Sequence, residues 1–263
     1  MERAKRTALI TGASGGIGEA LARECAGAGM NVVLVARSED RLKALGEQLS
    51  GEHGISATPV ATDLSDADAP PAIKRALEAS GITVDVLINN AGFATFGPFV
   101  ETDASEELDE IQLNVTALTH LTKLFAPGMV ERGWGRVMNV ASTAAFQPGP
   151  LMAVYYATKA YVLSFSEALS EEMRGTGVTV TAFCPGPTAS GFQARAAMED
   201  SKLVLGRKMP DAATVAADGF KAMMAGKPVY IHGLRNRLIA QSIRFSPRAL
   251  VRPMVKRLQE RVH

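Results

Sequence analysis

The stretch Thr7-Ala8-Leu9-Ile10-Thr11-Gly12-Ala13-Ser14-Gly15-Gly16-Ile17-Gly18-Glu19-Ala20-Leu21-Ala22-Arg23 decides how this chain folds. An apolar, strand-forming run feeds a glycine-rich turn, and the turn opens directly into a helical pattern. Gly12 and Gly16 lack a Cβ, so the turn can take strained dihedrals and a diphosphate can approach backbone N–H groups at the positive end of the helix that follows. Ser14, Gly15 and Ile17 complete the candidate cradle, and Gly18 lets the helix pack closely on the strand. The spacing is Gly-x3-Gly-x-Gly rather than Gly-x-Gly-x2-Gly. Glycine turns are common, so the weight rests on context: strand before, helix after, at the start of the chain, where the first unit of a dinucleotide-binding sheet belongs.

Outward from that turn, runs rich in Val, Ile and Leu alternate with longer helical patterns. We expect seven strands, over 7–11, 31–36, 56–61, 84–89, 135–140, 179–184 and 228–231, with helices near 16–28, 38–50, 66–80, 103–131, 151–174 and 211–225. Most of the strands lack strict alternation, as strands covered on both faces should. The expected fold is α/β: a single Rossmann-like doubly wound domain, with a seven-stranded parallel sheet and helices on both faces. Residues 1–231 form that domain and 232–263 a basic extension. In the long helix, Leu108, Ile111, Val115 and Leu118 make one apolar stripe and Leu113, Ala117, Leu121 and Leu124 a second. Such a helix is either wedged between sheet and loops or part of a subunit interface, which makes a homodimer or homotetramer an expectation.

Composition narrows the classes. The 263 residues are 47% hydrophobic, with 28 Lys and Arg against 27 Asp and Glu, a net charge of +1. That excludes dominant disorder, and no nucleic-acid signature is present. Two distant cysteines, Cys25 and Cys184, argue for a reducing compartment rather than a disulfide framework, so a cytoplasmic location is expected. The apolar run near the start is too short for a signal peptide, and no stretch of about 18 apolar residues reads as a membrane span. His53, His120, His232 and His263 show no metal-ligand spacing, and no metal is assigned.

Where a dinucleotide-binding unit places an acid for the adenosine ribose, at the end of the second strand, this chain has Ala36-Arg37-Ser38. Arg37 offers a planar, permanently charged fork suited to a 2′-phosphate, so the expected cofactor is NADP(H). Ser38 can add a hydroxyl, and Arg41 is a second candidate cation.

A second constellation lies downstream. Tyr155 and Lys159 stand one helical turn apart, whereas Tyr156 has Ala160 at the same offset. Tyrosine ionises near pH 10, and a neighbouring ammonium favours the phenolate, so this pair suits proton exchange with a carbonyl oxygen. Ser142 ends the fifth strand thirteen residues earlier. Taken with Thr11 to Gly18, Asp63-Leu64, Asn89-Asn90-Ala91-Gly92, Asn114 and Pro185-Gly186, the chain resembles the short-chain dehydrogenase/reductase family from Thr7 to about Ile231.

The resemblance implies roles. Ser142 would orient a substrate carbonyl, Tyr155 would act as general acid and base, Lys159 would also hold the nicotinamide ribose, and Asn114 would support a water relay to the lysine. Asp63 and Leu64 would meet the adenine, Asn90, Ala91 and Gly92 the ribose side, and Pro185, Gly186 and Thr188 the carboxamide. The chain departs from the family in that last loop, with Thr188 and Ser190 where Val and then Thr are common. Similar sequences in the family include long-chain 3-oxoacyl and ketosteroid reductases, so an apolar carbonyl or alcohol is the expected substrate. Epimerisation or dehydration, or silent cofactor sensing, are the alternatives.

Phe93, Phe96, Phe99, Phe146, Leu151, Met152, Phe192, Met198, Leu203, Val204 and Leu205 are expected to rim that substrate side. The segment 192–209 has the length of a mobile lid. The extension carries Arg235, Arg237, Arg244, Arg248, Arg252, Lys256, Arg257 and Arg261 against Glu260, a net +7 that leaves −6 on the rest. It reads as amphipathic helix broken at Pro247 and Pro253, able to lie on anionic lipid as a peripheral contact, pack on a neighbouring subunit, or fold over the pocket.

Overall fold

The computed structural model describes residues 5–198, 200–202, 204–206 and 208–261. Leu203, His263 and the Arg244 side chain, singled out above, lie outside the described residues. Seven parallel strands form one sheet in the order β3-β2-β1-β4-β5-β6-β7: β1 Thr7–Thr11, β2 Asn31–Ala36, β3 Ala57–Ala61, β4 Val86–Asn89, β5 Gly135–Val140, β6 Val178–Cys184 and β7 Val229–Ile231. Strand order reverses between β1 and β4, and the crevice at their carboxyl ends is where an open sheet of this kind binds ligands. The expected strands and helices of the domain are all present, with ends shifted by up to three residues.

Every residue of β1 and β4 is buried, because helices cover both faces. On one side lie α1 (Gly16–Gly27), α2 (Glu39–His53) and α8 (Ala212–Met224), packed around Ile10, Leu21, Leu34, Phe183 and Met223. On the other lie α3 (Ala69–Ala79) and the long helical segment from 104 to 131, around Leu9, Val33, Leu87, Leu121 and Met129. Cys25 and Cys184 are buried in these layers, and burial pushes both thiols up to about 12. At the amino-terminal edge of β5, Trp134 is sandwiched between guanidinium groups, Arg6 3.4 Å and Arg136 4.7 Å from the ring centroid.

Two expected helices differ. The continuous helix over 103–131 is instead α4 (Ala104–Ile111), a π-helical turn over Gln112–Ala117, and α5 (Leu118–Glu131). A π turn inserts one residue into the α spacing and re-aims the side chains around it, which a periodicity of 3.6 cannot reveal. Leu113, Ala117 and Leu121 are buried against the sheet, while Leu108 is 65% and Ile111 39% exposed.

The extension forms α9 (Leu234–Phe245) and α10 (Arg248–Gln259), so the break at Pro247 is real but Pro253 lies inside α10. Proline there removes one intrahelical hydrogen bond, and the helix persists because Val251, Val255 and Gln259 are buried against Tyr156 and Met198. α10 packs on the same domain, against Tyr156 and Met198 beside the cleft, and none of its described residues lines the cleft. Its end is tied to the lid by a Lys202 N–H to Glu260 carbonyl bond and by the pairs Lys202–Glu260 and Arg261–Asp200. No described helix is long and apolar enough to cross a membrane.

Candidate active site

The glycine turn is shaped as its sequence demands. Gly12 and Gly16 have φ of +67° and +58°, the left-handed region that favours glycine. A Cβ on Gly12 would lie 2.7 Å from the Asn90 amide nitrogen, and one on Gly18 2.2 Å from the Gly12 carbonyl oxygen. Gly18 is buried and does not face the cleft, so its part is close packing of α1 on the turn. The hydroxyl of Thr11 accepts hydrogen bonds from the backbone N–H groups of Asn90 and Ala91, both at 2.9 Å, and Asn90 donates its amide back to the Thr11 carbonyl. This cross-brace joins the ends of β1 and β4 at the point where strand order reverses.

A cleft of about 560 Å³ runs from there across the carboxyl ends of the sheet. Gly12, Ser14, Gly15, Gly16 and Ile17 line one end, with Arg37, Asp63 and Leu64 beyond them. Asn90, Ala91 and Gly92 line its middle, and Ser142, Tyr155, Lys159, Pro185, Gly186 and Thr188 the other end. Ser38 and Arg41 also line it. Bare glycine backbone, a helix amino end and exposed guanidinium groups fit a phosphorylated dinucleotide.

Arg37 lies 3.7 Å from Asp63, both half-exposed. Burial opposes ionisation of Asp63, but hydrogen bonds from Ser65 together with Arg37 and Arg195 outweigh it and hold the carboxyl below its ordinary value. Arg195 is the residue that sequence reasoning missed at this end. It sits in α7 (Phe192–Arg195), inside the expected lid, and lies 4.4 Å over the Phe93 ring, so only the folded lid brings it to Arg37.

At the opposite end, Ser142 lies two residues past the end of β5, and its hydroxyl accepts from the Ala144 N–H, capping a short 3-10 turn over Thr143–Phe146. Tyr155 and Lys159 are both buried on α6 (Ala153–Glu172). Burial dominates the Tyr155 phenol and raises its pKa well above the ordinary value, while the Ser142 hydroxyl opposes that shift. The Lys159 ammonium donates to the Val140 carbonyl at 2.8 Å, and its nitrogen is 5.7 Å from the Tyr155 ring. Desolvation lowers this lysine to about 8, with Glu110 opposing. The expected direct tuning of the phenol by the lysine is therefore weaker than the four-residue spacing implies: the two groups share a face, but the ammonium is turned to the end of β5.

Asn114 does not line the cleft. It lies in the π turn, 1% exposed, donating to the Phe93 carbonyl at 2.9 Å and to the Thr158 hydroxyl at 3.2 Å while accepting from the Phe93 N–H. A Cβ on Gly92 would stand 2.8 Å from the Asn114 oxygen and 3.5 Å from the Lys159 nitrogen, so Asn114 backs the strand end that separates it from the lysine. One turn earlier, Glu110 is fully buried and takes hydrogen bonds from the Thr95 N–H and hydroxyl, both at 2.9 Å. Its burial pushes the carboxyl up to about 7. Sequence reasoning missed it because the charged run 105–110 reads as a solvated helix face.

The family description "short chain dehydrogenase" matches residues 6–200. This chain belongs to the short-chain dehydrogenase family. Among relatives, a short chain dehydrogenase of Pseudocercospora fijiensis is 41% identical over 189 residues, which is 70% of this chain and 60% of that one. The very-long-chain 3-oxoacyl-CoA reductase of Rattus norvegicus is 37% identical over 182 residues, 68% of this chain and 58% of its own. This short-chain dehydrogenase thus spans about three fifths of those relatives. A solved short-chain dehydrogenase from Sphingobium yanoikuyae, in complex with NADPH, is 33% identical and superposes with a TM-score of 0.81, covering 90% of this chain and 92% of that one.

Proposed function

We propose that this short-chain dehydrogenase is an NADP(H)-dependent oxidoreductase that interconverts a carbonyl and a secondary alcohol on an apolar substrate. The observation that carries the reading is the convergence of Ser142, Tyr155 and Lys159 in one cleft with the glycine cradle and Arg37. NADPH, when bound, supplies the hydride. The chain does the rest. Hydride addition leaves negative charge on the carbonyl oxygen, and a hydroxyl pair placed there stabilises it. Tyr155 holds the proton that this oxygen takes, because burial keeps the phenol protonated. Ser142 orients the oxygen, and Lys159, held by the Val140 carbonyl, supplies positive charge behind the phenol and a hold for the nicotinamide ribose. Asn114 fixes the Gly92–Phe93 segment that follows β4 through its two bonds to Phe93, and a water relay from it to Lys159 rests on the family resemblance alone.

Met152, Phe192, Met198 and Val204 are buried or half-buried around the Tyr155 side of the cleft, which supports an apolar substrate, whereas Phe93 packs into the core beside Leu113. The buried thiols support a cytoplasmic setting, and the exposed Leu108 and Ile111 a homo-oligomer. Sedimentation with anionic vesicles, with and without salt, tests a peripheral lipid contact through the outward faces of α9 and α10.

The deciding experiment measures NADPH oxidation over ketones and aldehydes graded from small and polar to large and apolar. Tyr155→Phe is expected to lower turnover by roughly a hundredfold to ten-thousandfold, the scale of a general-acid contribution, while NADPH binding is kept. Retained turnover in that variant removes Tyr155 from the chemistry. Tight NADPH binding without turnover of any carbonyl favours a sensor.

A further inference from the structure

The short helix α7 reaches both ends of the cleft, to whose lining it gives Phe192, Gln193 and Arg195. At the proton-transfer end the Phe192 ring stands 5.4 Å from the Tyr155 ring. Three residues on, the Arg195 guanidinium lies 4.4 Å over the Phe93 ring, within electrostatic reach of Arg37 and Asp63 at the other end. α7 is one hydrogen-bonded turn, with the Arg195 and Ala196 N–H groups bonded to the Gly191 and Phe192 carbonyls. Its foot rests on the glycine cradle: the Ser190 hydroxyl accepts from the Phe192 N–H at 3.3 Å, and a Cβ on Gly16 would lie 3.2 Å from the Ser190 Cβ. The buried Gln193 amide adds a bond to the Thr188 carbonyl at 2.8 Å. Phe192 and Arg195 are thus fixed to one another along the cleft.

Arg195 has a platform but no counter-ion. It is exposed, and among the described residues no ion pair or side-chain hydrogen bond engages it; the ion pair at this end joins Arg37 to Asp63. Partial burial and repulsion by Arg37 disfavour its charge, against the attraction of Asp63 and Glu106. The charged groups lining this end are three guanidinium groups, Arg37, Arg41 and Arg195, and one acid, Asp63, an excess of two positive charges. A phosphate monoester carries about −1.5 to −2 near neutral pH, and guanidinium forks hold such a group through paired hydrogen bonds. A diphosphate has its own place at the glycine turn, where backbone N–H groups and the amino end of α1 receive it.

We infer that Arg195 is a second specificity-determining residue for the phosphorylated cofactor: it joins Arg37 on the adenosine 2′-phosphate, and through α7 that contact sets Phe192 against Tyr155. This rests on NADP(H) as the cofactor and adds that recognition of its phosphate also shapes the substrate side.

Calorimetric titration of NADPH, NADH, adenosine 2′,5′-bisphosphate and ADP into wild type, Arg195→Gln and Arg195→Lys tests the contact. Arg195→Gln is expected to weaken NADPH and the bisphosphate by about tenfold to a hundredfold, the scale of a hydrogen bond to a charged group, and to leave NADH and ADP unchanged. Arg195→Lys keeps the charge without the fork and should fall between. Equal losses for NADPH and NADH would place Arg195 on the diphosphate and overturn the inference, as would no loss at all. A wild type that binds NADPH no more tightly than NADH removes the cofactor reading and the inference together. A preference lost in Arg37→Asp but kept in Arg195→Gln removes Arg195 alone. The link to the substrate side is read by hydrogen exchange at the Ala196, Ala197 and Met198 amides, which bond to carbonyls of residues 192–194. At saturation, NADPH is expected to slow their exchange more than NADH in wild type, and the two nucleotides to act alike in Arg195→Gln. Equal protection by both nucleotides in wild type overturns the coupling.

Discussion

Arg37 illustrates how much one side chain can say. Its planar fork at the end of β2 faces the cleft beside Asp63, and charge-assisted contacts to a phosphate are among the stronger hydrogen bonds. Arg37→Asp is expected to weaken NADPH binding by roughly 2 kcal/mol, about thirtyfold, and to leave NADH binding little changed. Calorimetric titration of both nucleotides checks this, and an unchanged ratio contradicts it. Glu110 makes a different prediction. Its folded value of about 7 lies above its ordinary 4.5, so the folded chain keeps a proton that the unfolded chain releases between those pH values. The stability it contributes is complete below pH 4.5 and is lost as the pH rises through 7. Glu110→Gln keeps an acceptor for Thr95 and removes the charge. Its unfolding free energy should lack that decline and exceed wild type by up to about 3 kcal/mol at pH 8, read by chemical denaturation across pH. Ser142, Tyr155, Lys159 and the glycine turn could be placed in one cleft from their spacing and the family resemblance, because each sits at the end of a strand or on one helix face. Glu110 and Arg195 could not. Their roles depend on a π turn and a folded lid that join distant segments.

At the scale of elements, the strands were readable because burial on both faces leaves continuous apolar runs, as in Val32 to Val35. The long helix was readable in extent but not in its interior, since a single-turn π segment leaves both apolar stripes in place. Its consequence is functional: the turn carries Asn114 to Phe93, two residues beyond Ala91 in the cleft wall. The end of the chain was misread at Pro253, where propensity predicts a break and tertiary burial prevails. Pro253→Ala restores a donor for the Ala249 carbonyl without touching the buried Val251, Val255 and Gln259 face. Against the missing bond, worth about 3 kcal/mol in a helix interior, the variant loses up to about 1 kcal/mol of unfolded-state restriction. A net gain of about 1–2 kcal/mol in a urea titration is expected, and destabilisation would show that the proline serves the fold.

For the whole molecule, the deciding feature is that cradle, hydroxyl pair and lysine all stand at one edge of a single sheet, at the reversal between β1 and β4. Fold class and the place of the cleft followed from the alternation of strands and helices. The contact between α6 and the extension did not, because these are segments about 80 residues apart whose packing no local pattern encodes. Because the cleft is built from both halves of the sheet, a nucleotide bound there should brace the molecule globally. At a hundred times its Kd, NADPH is expected to add about 2.7 kcal/mol to the unfolding free energy. A thermal melt showing no shift would contradict that.

Trp134, the sole tryptophan, lies at the opposite edge of the sheet, wedged between Arg6 and Arg136. Its emission is therefore a reporter placed away from the chemistry. Separation of the amino-terminal ends of β1 and β5, which flank β4, frees the indole from its two cations and changes the signal. Indole emission thus follows the scaffold in the absence of reduced cofactor, and nicotinamide absorbance follows the reaction in a separate sample.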